Sequence, residues 1–463
     1  MHKQIAREGF RRNYAVVKGY NNFVLRQFYK RFEVVDYEKN MPADTPVIMA
    51  GNHQNALIDA LNMVGSTKLK HQPTFITRSD VFGHALTGAL YSLKMLPIYR
   101  ERDNMPIEER IKKNGEIFDI TVRRLSLKEP VLIFPEGNHN RKLRIRNLQK
   151  GFARMAFQAE EQNDFKLGSL IVPMGLNYKD HKKFNSDMLI IYGEPIPVAN
   201  YISLYKENQS KALITIRNDL RKAMRKLVID IQNEDYYEFT RHLVRMAGPE
   251  LAGERLGEKY KLIDRFHIQK EIVAAMDLLI EKEDPDLPRL KSDMETYQAF
   301  LKEHKIRDHT VLKGPYGWGE IMGQVLLLLL SSPLYLLGLL SNYLPYKTAE
   351  QLAIKNFKDD HFHSSIMMAS SMVIYPLFAL LQTGLVWGIS GNGKIALAFM
   401  AAIPFAGKFA LYFSEQVKKC WSKIKFNKLL KSGEQQALKI KDLRTKFSKF
   451  ARKLTTKREK VTT

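Results

Sequence analysis

The stretch Asn52-His53-Gln54-Asn55-Ala56-Leu57-Ile58-Asp59 follows the apolar run PVIMA directly, and it sets one imidazole and one carboxylate at a strand-to-helix junction. A carboxylate that accepts from one imidazole nitrogen fixes the tautomer and leaves the other nitrogen to take a proton from a hydroxyl. On one ideal helix, residues six apart point roughly 240° away from each other, so His53 meets Asp59 only from a loop that folds back over the helix start. The same residues also fit a plain junction. In that reading Asn52 or Asn55 caps the helix, His53 is a polar loop residue and Asp59 complements the helix dipole.

A second polar loop adds to this chemistry. The run VLIF leads into Pro135-Glu136-Gly137-Asn138-His139-Asn140-Arg141-Lys142, an acid and a glycine followed by cations. Between the two loops lies LPIYRERD, with Arg100 and Arg102 just past a short apolar run. Guanidinium groups beside a carboxylate and a candidate base suit a substrate that carries both a hydroxyl and a phosphate. Surface ion pairs with Glu101, Asp103 or Glu108 account for the two arginines equally well.

The elements that must position these residues are legible from periodicity. Between 46 and about 195 the short apolar runs PVIMA, PTFIT, MLPIY, VLIFP, LIVPMGL and MLIIYGEP alternate with helix-like segments such as IEERIKKNGEIFDITVRRL and LQKGFARMAFQA. Alternation of this kind predicts an α/β domain with a sheet flanked by helices, its polar loops at the carboxyl ends of the strands. Residues 20–35 read as an amphipathic helix that either packs on its own domain or touches a membrane. Residues 201–310 read as charged helices, broken at GPELAGERLG and EDPDLP.

Three long apolar segments follow, at 321–344, 366–389 and 395–413, and the first two meet the roughly 20 residues needed to span a bilayer. The basic tail after them is expected on the cytosolic side. An even number of crossings then makes 321–344, with its central SSP, a re-entrant or in-plane pair, and makes the last two segments a hairpin about SGNGK. His361 and His363 fall in a loop between apolar segments and read as interfacial residues, not metal ligands. The expected organisation is a membrane-contacting segment at 1–45, an α/β domain at 46–200, charged helices at 201–315, a membrane region at 316–415 and a basic tail at 416–463.

Composition narrows the partners. In 463 residues, 73 Lys+Arg against 49 Asp+Glu give a net charge of +24, which calls for an anionic partner. The basic residues concentrate after apolar segments, which favours an anionic lipid surface over nucleic acid. One cysteine, Cys420, precludes an intrachain disulfide or a cysteine metal cluster. The N-terminus lacks the uninterrupted apolar region of a cleavable signal peptide.

Taken together, NHQNALID, LPIYRERD, FPEGNHNR and IVPMGL resemble, in order and spacing, the four sequence blocks of the glycerolipid acyltransferases, a family that includes glycerol-3-phosphate and lysophosphatidate acyltransferases. The resemblance spans about 46–195. It implies His53 as general base, Asp59 as its orienting carboxylate, Arg100 as a phosphate ligand, and Glu136 with Gly137 as part of the glycerol-phosphate site. Pro173 would flank the cleft, and Arg102 and Arg141 are further candidates for substrate binding. Five residues separate His53 from Asp59 where the family usually has four, and Asn138-His139-Asn140 replaces its Thr-Arg-Ser, so Arg141 is the candidate substitute for the missing arginine.

The implied reaction is acyl transfer from a thioester, acyl-CoA or acyl carrier protein, to a hydroxyl of glycerol-3-phosphate or a lysophospholipid. It needs no bound cofactor, no metal and no nucleic acid, and it takes place at a lipid bilayer with the catalytic domain on the cytosolic face. A lysophospholipid acyltransferase or transacylase is the close alternative. An inactive membrane-anchored interaction protein is the alternative of a different class.

Overall fold

The computed structural model describes residues 8–82, 87–103, 105–181, 183–356, 360–432 and 435–459. They form two compact units, Met1–Val228 with Ala353–Met368, and Ile229–Leu352 with Ala369–Thr463.

The first unit is built on a mixed sheet. Its strands are β1 (Arg31–Val35), β2 (Val47–Gly51), β3 (Thr74–Arg78), β4 (Met95–Ile98), β5 (Val131–Ile133), β6 (Leu170–Tyr178), β7 (Asp187–Tyr192) and β8 (Ile196–Pro197). They lie in the order β1-β7-β6-β2-β5-β3-β4, with β8 on β6. From β6 to β4 every neighbouring pair is parallel, whereas β7 runs antiparallel to β6 and β1 follows β7. The loops after β2, β3, β4, β5 and β6 therefore emerge at one edge.

Burial explains why the six apolar runs form strands. Every residue of β2 and β7 is buried, as expected of strands covered on both faces. Val47 and Met49 face a core with Leu25, Ile58, Met63 and Met174, while Ile48 and Ala50 face one with Phe152, Phe157, Ile171 and Ile216. A Cβ on Gly51 would stand 2.6 Å from Met63 Sδ, so the glycine before Asn52 lets the next helix pack close over the strand end.

The segment 20–35 is not one helix. Helix Arg12–Phe28 stops, and Arg31–Val35 pairs with β7, anchored by an Arg31–Asp187 ion pair at 2.8 Å. Consecutive β-branched residues at Val34 and Val35 favour the strand. The helix buries Tyr14, Lys18, Asn21 and Leu25 and leaves Val16, Val17 and Phe23 exposed. Packing on its own domain thus accounts for one of its two faces.

The second unit is helical. Helix Tyr237–Leu256 continues through Pro249 and stops at Gly257, at φ 80°, while EDPDLP separates Leu262–Glu281 from Leu287–Glu303. The basic C-terminal segment is helical. Helix Gln435–Glu459 buries Arg444, which binds Asp308 Oδ1 at 2.6 Å and Glu250 Oε2 at 2.9 Å.

Three helices among the described residues are long and apolar enough to cross a membrane: Trp318–Lys355, Ser365–Ser390 and Gly393–Lys431. Their leucines are largely exposed, among them Leu327, Leu330, Leu340, Leu381 and Leu385. An apolar surface of this extent fits lipid contact. The break expected at SSP does not occur, because helix Trp318–Asn356 runs straight through Pro333 and Pro345.

Each of those prolines frees the carbonyl four residues earlier, and side chains satisfy both. Ser332 Oγ donates to Leu329 O at 2.8 Å, and Gln382 Nε2 donates to Ser341 O at 3.0 Å. Helix Trp318–Asn356 lies against Gly393–Lys431, with Lys423 Nζ 2.7 Å from Glu320 Oε1 and Asn342 Nδ2 3.2 Å from Ile403 O. His361 and His363 lie within helix Asp360–Ser390, not in a loop; the side chain of His361 is outside the described residues.

Candidate active site

The loop after β2 is fixed at its first residue. The Asn52 side chain, fully buried, accepts from Leu176 N at 2.7 Å and donates to Leu176 O at 3.1 Å, which ties the end of β2 to β6. His53 then leaves the sheet, and its Nδ1 lies 2.8 Å from Asp59 Oδ2. The five-residue interval does not prevent the pairing. Ala56, the first residue of helix Ala56–Ser66, takes φ 45°, and this left-handed turn absorbs the extra residue and brings Asp59 back under the loop.

Asp59 has no exposed surface and is saturated with donors. Gln54 N and Asn55 N each donate to Oδ2 at 2.7 Å, and Tyr178 Oη donates to Oδ1 at 2.5 Å. Burial, and next the negative charge of Asp59, push the Tyr178 phenol well above its ordinary range, so it stays a donor. Asn62, fully buried, in turn donates to the hydroxyls of Tyr178 and Tyr29. A carboxylate held this firmly presents one oxygen to the imidazole in one orientation. His53 Nδ1 must then carry the proton, which leaves Nε2 with its lone pair as the basic nitrogen.

The loop after β5 holds the same histidine from the other side. Glu136 Oε1 accepts from His53 N at 3.4 Å, and Asn140 N donates to His53 O at 3.0 Å. Gly137, at φ 78°, turns the loop between them. Phe134 stacks on the imidazole with ring centroids 4.2 Å apart, and His139 meets it edge-on at 5.6 Å. Glu136 is itself buried and accepts from Arg146 Nε at 2.6 Å, while the rest of that guanidinium donates to the side chain and carbonyl of Asn138. Burial raises the Glu136 carboxyl above its usual range, opposed by Arg146.

Spacing did not single out Arg146 or Tyr178. Arg146 lies ten residues past Glu136 and reaches it only because the loop doubles back. Tyr178 ends a strand whose apolar pattern gives no sign of a polar role. Arg141 is half-buried in the same loop. Pro173 lies in β6 opposite Ala50 of β2.

Arg100 follows β4. Its backbone N–H donates to Asp103 at 2.8 Å, and its guanidinium lies 3.4 Å from Asp103 Oδ1 and 3.7 Å from Asp80 Oδ2. With Arg78, Ser79, Asp80, Tyr99, Asp103 and Met105 it lines a cavity of about 480 Å³. Arg78, also missed from sequence, ends β3 and pairs with Asp80. Three strand steps, about 14 Å, separate β2 from β4, so Arg100 follows a strand on the same sheet edge as the histidine loop. The side chain of Arg102 is outside the described residues.

A buried carboxylate–imidazole pair on the carboxyl edge of a mixed sheet is an arrangement that suits a general base on an α/β scaffold. Residues 32–177, the region that carries this site, match the family model described as Acyltransferase. The chain is 28% identical over 225 residues to Glycerol-3-phosphate O-acyltransferase 2 of Saccharomyces cerevisiae, covering 48% of this chain and 28% of that one. To Glycerol-3-phosphate O-acyltransferase 1 of the same yeast it is 21% identical over 196 residues, or 42% of this chain and 25% of the relative. The matched stretch thus spans only about a quarter of each relative's length. Among solved structures, the 1-acyl-sn-glycerophosphate (LPA) acyltransferase PlsC of Thermotoga maritima covers 45% of this chain and 79% of its own, at 15% identity and a TM-score of 0.32.

Proposed function

We propose that the protein is a membrane-bound acyltransferase that moves a fatty acyl group from a thioester, acyl-CoA or acyl carrier protein, to a hydroxyl of glycerol-3-phosphate or a lysophospholipid. The observation that carries this reading is the 2.8 Å contact between His53 Nδ1 and the fully buried Asp59. In the proposed mechanism His53 Nε2 removes the acceptor hydroxyl proton as the oxygen attacks the thioester carbonyl. The tetrahedral oxyanion then collapses and expels the thiol. The donor is already activated, so no serine or cysteine nucleophile is required.

Glu136 acts in this scheme by holding the main chain of His53, and Gly137 by turning the loop. Arg100, with Arg78 beside it, supplies positive charge for the acceptor phosphate, and Arg141 and Arg102 remain candidates for the same role. The three apolar helices support a bilayer location, and the basic residues that follow them support a cytosolic face for the catalytic domain. No bound cofactor is needed. Glycerol-3-phosphate is the preferred acceptor, in keeping with the two yeast relatives.

The test is to incubate the detergent-purified protein with labelled acyl-CoA or acyl carrier protein and a panel of acceptors. Labelled lysophosphatidate formed from glycerol-3-phosphate supports the reading. Transfer only to lysophospholipids moves the assignment to the close alternative, and no transfer to any acceptor rejects it.

A further inference from the structure

Residues Ala353–Met368 belong to the same compact unit as the catalytic loop, although 310 residues separate Ser365 from Asn55. Met368, 3% exposed, joins the core cluster that contains Ile58 and Met63 of the helix bearing Asp59. One turn earlier, Ser365 is buried and donates its hydroxyl to Asn55 O at 2.8 Å.

Asn55 is the pivot of the site. Its N–H donates to Asp59 Oδ2 and its side-chain amide donates to His181 O at 2.9 Å. The next residue is Ala56, held at φ 45°. A non-glycine residue in the left-handed region persists where the surrounding structure over-determines it. Within the loop, Asn55 O accepts from Ile58 N at 3.1 Å. Ser365 adds a second donor from a helix that continues as an apolar stretch to Ser390.

We propose that Ser365 is a positioning residue for the His53–Asp59 pair, so that the catalytic site is completed by the apolar C-terminal region and not by the N-terminal α/β segment alone. The hydroxyl fixes the Asn55 carbonyl, which fixes the left-handed turn at Ala56 and hence the two amides that hold Asp59. The proposal takes His53 to be the base of acyl transfer. Its structural part, the bracing of the loop, can be read independently of that chemistry.

The experiment uses the full-length protein in lipid nanodiscs and compares wild type, Ser365→Ala and Ser365→Thr. Hydrogen exchange is followed by mass spectrometry across peptides covering 50–60, and acyl transfer from a labelled thioester to glycerol-3-phosphate is followed in parallel. A net hydrogen bond of ordinary strength predicts that Ser365→Ala lowers kcat about three- to ten-fold at unchanged acceptor KM. Exchange should rise at 50–60 and not in the distant strands β3 and β4, and Ser365→Thr, which keeps the hydroxyl, should restore both readouts.

Unchanged exchange and unchanged kcat in Ser365→Ala would overturn the proposal. So would a rise in exchange spread evenly over the whole sheet, or a threonine variant that behaves like alanine. If exchange responds locally but no variant, wild type included, transfers an acyl group, the brace stands and the acyltransferase assignment fails.

Discussion

Arg146 Nε lies 2.6 Å from the buried Glu136 carboxylate, and the same carboxylate accepts from the main chain of His53. The guanidinium thus reaches the candidate base through one intermediary, which makes the loop after β5 a clamp on the histidine.

Removing one partner of such a pair leaves an uncompensated charge in a buried position. Arg146→Ala should lower thermal stability and reduce kcat together, with a cost below the roughly 3–5 kcal/mol of a fully buried pair because Arg146 is partly exposed. Adding Glu136→Gln to Arg146→Ala should recover part of the stability, since no charge is then stranded. A double-mutant cycle by thermal denaturation checks this; strictly additive losses would show that the two side chains are not coupled.

Glu136 also gives a pH signature. Its carboxyl is raised by burial, so the folded chain binds the proton more tightly than the unfolded chain does. The sign follows: the Glu136 contribution to stability is greatest when the group is protonated, and it declines as pH rises from the ordinary carboxylate range through the raised value. Glu136→Gln cannot titrate. The melting temperature of the glutamine variant relative to wild type should therefore climb as pH goes from about 4 to 8, and a difference that is flat or falls over that interval would contradict the assignment.

The left-handed turn at Ala56 predicts an unusual tolerance. Ala56→Gly should be neutral or stabilising by up to about 1 kcal/mol despite its helical position, because glycine adopts positive φ freely. Ala56→Val should be destabilising and should depress turnover by loosening Asp59. Chemical denaturation and turnover of the two variants read this out.

Arg100 and Arg78 line one cavity with two carboxylates. If they receive the acceptor phosphate, Arg100→Ala should raise the acceptor KM about ten- to a hundred-fold and leave the donor KM nearly unchanged, since a charge-assisted hydrogen bond contributes roughly 1.5–3 kcal/mol. Arg100→Lys should recover only part of this, because it keeps the charge but not the fork. An unchanged acceptor KM would leave Arg100 with a structural role, as an ion-pair partner of Asp103 and Asp80.

Much of this was legible before the fold was known, for identifiable reasons. Strands buried on both faces leave continuous apolar runs, so PVIMA, VLIF and the others were readable, as was the polar chemistry at their ends. Strand β1 was not, because RFEVV is half-buried along its whole length and follows a helix of the same amphipathic composition. Pro333 of helix Trp318–Asn356, in SSP, reads as a break because the hydrogen bond that compensates it, from Ser332 to Leu329 O, is visible only in three dimensions. The contacts of Arg146, Tyr178 and Ser365 escaped for a similar reason: each depends on a close approach between elements that no local pattern encodes.

The central claim is that His53 is the base. Steady-state kinetics of His53→Ala in the full-length protein, with labelled acyl thioester and varied glycerol-3-phosphate, measures it most directly. If His53 is the base, kcat falls by about 10²–10⁴ with little change in acceptor KM, and Asp59→Asn causes a comparable or smaller fall. A His53→Ala protein that turns over at close to the wild-type rate would contradict it.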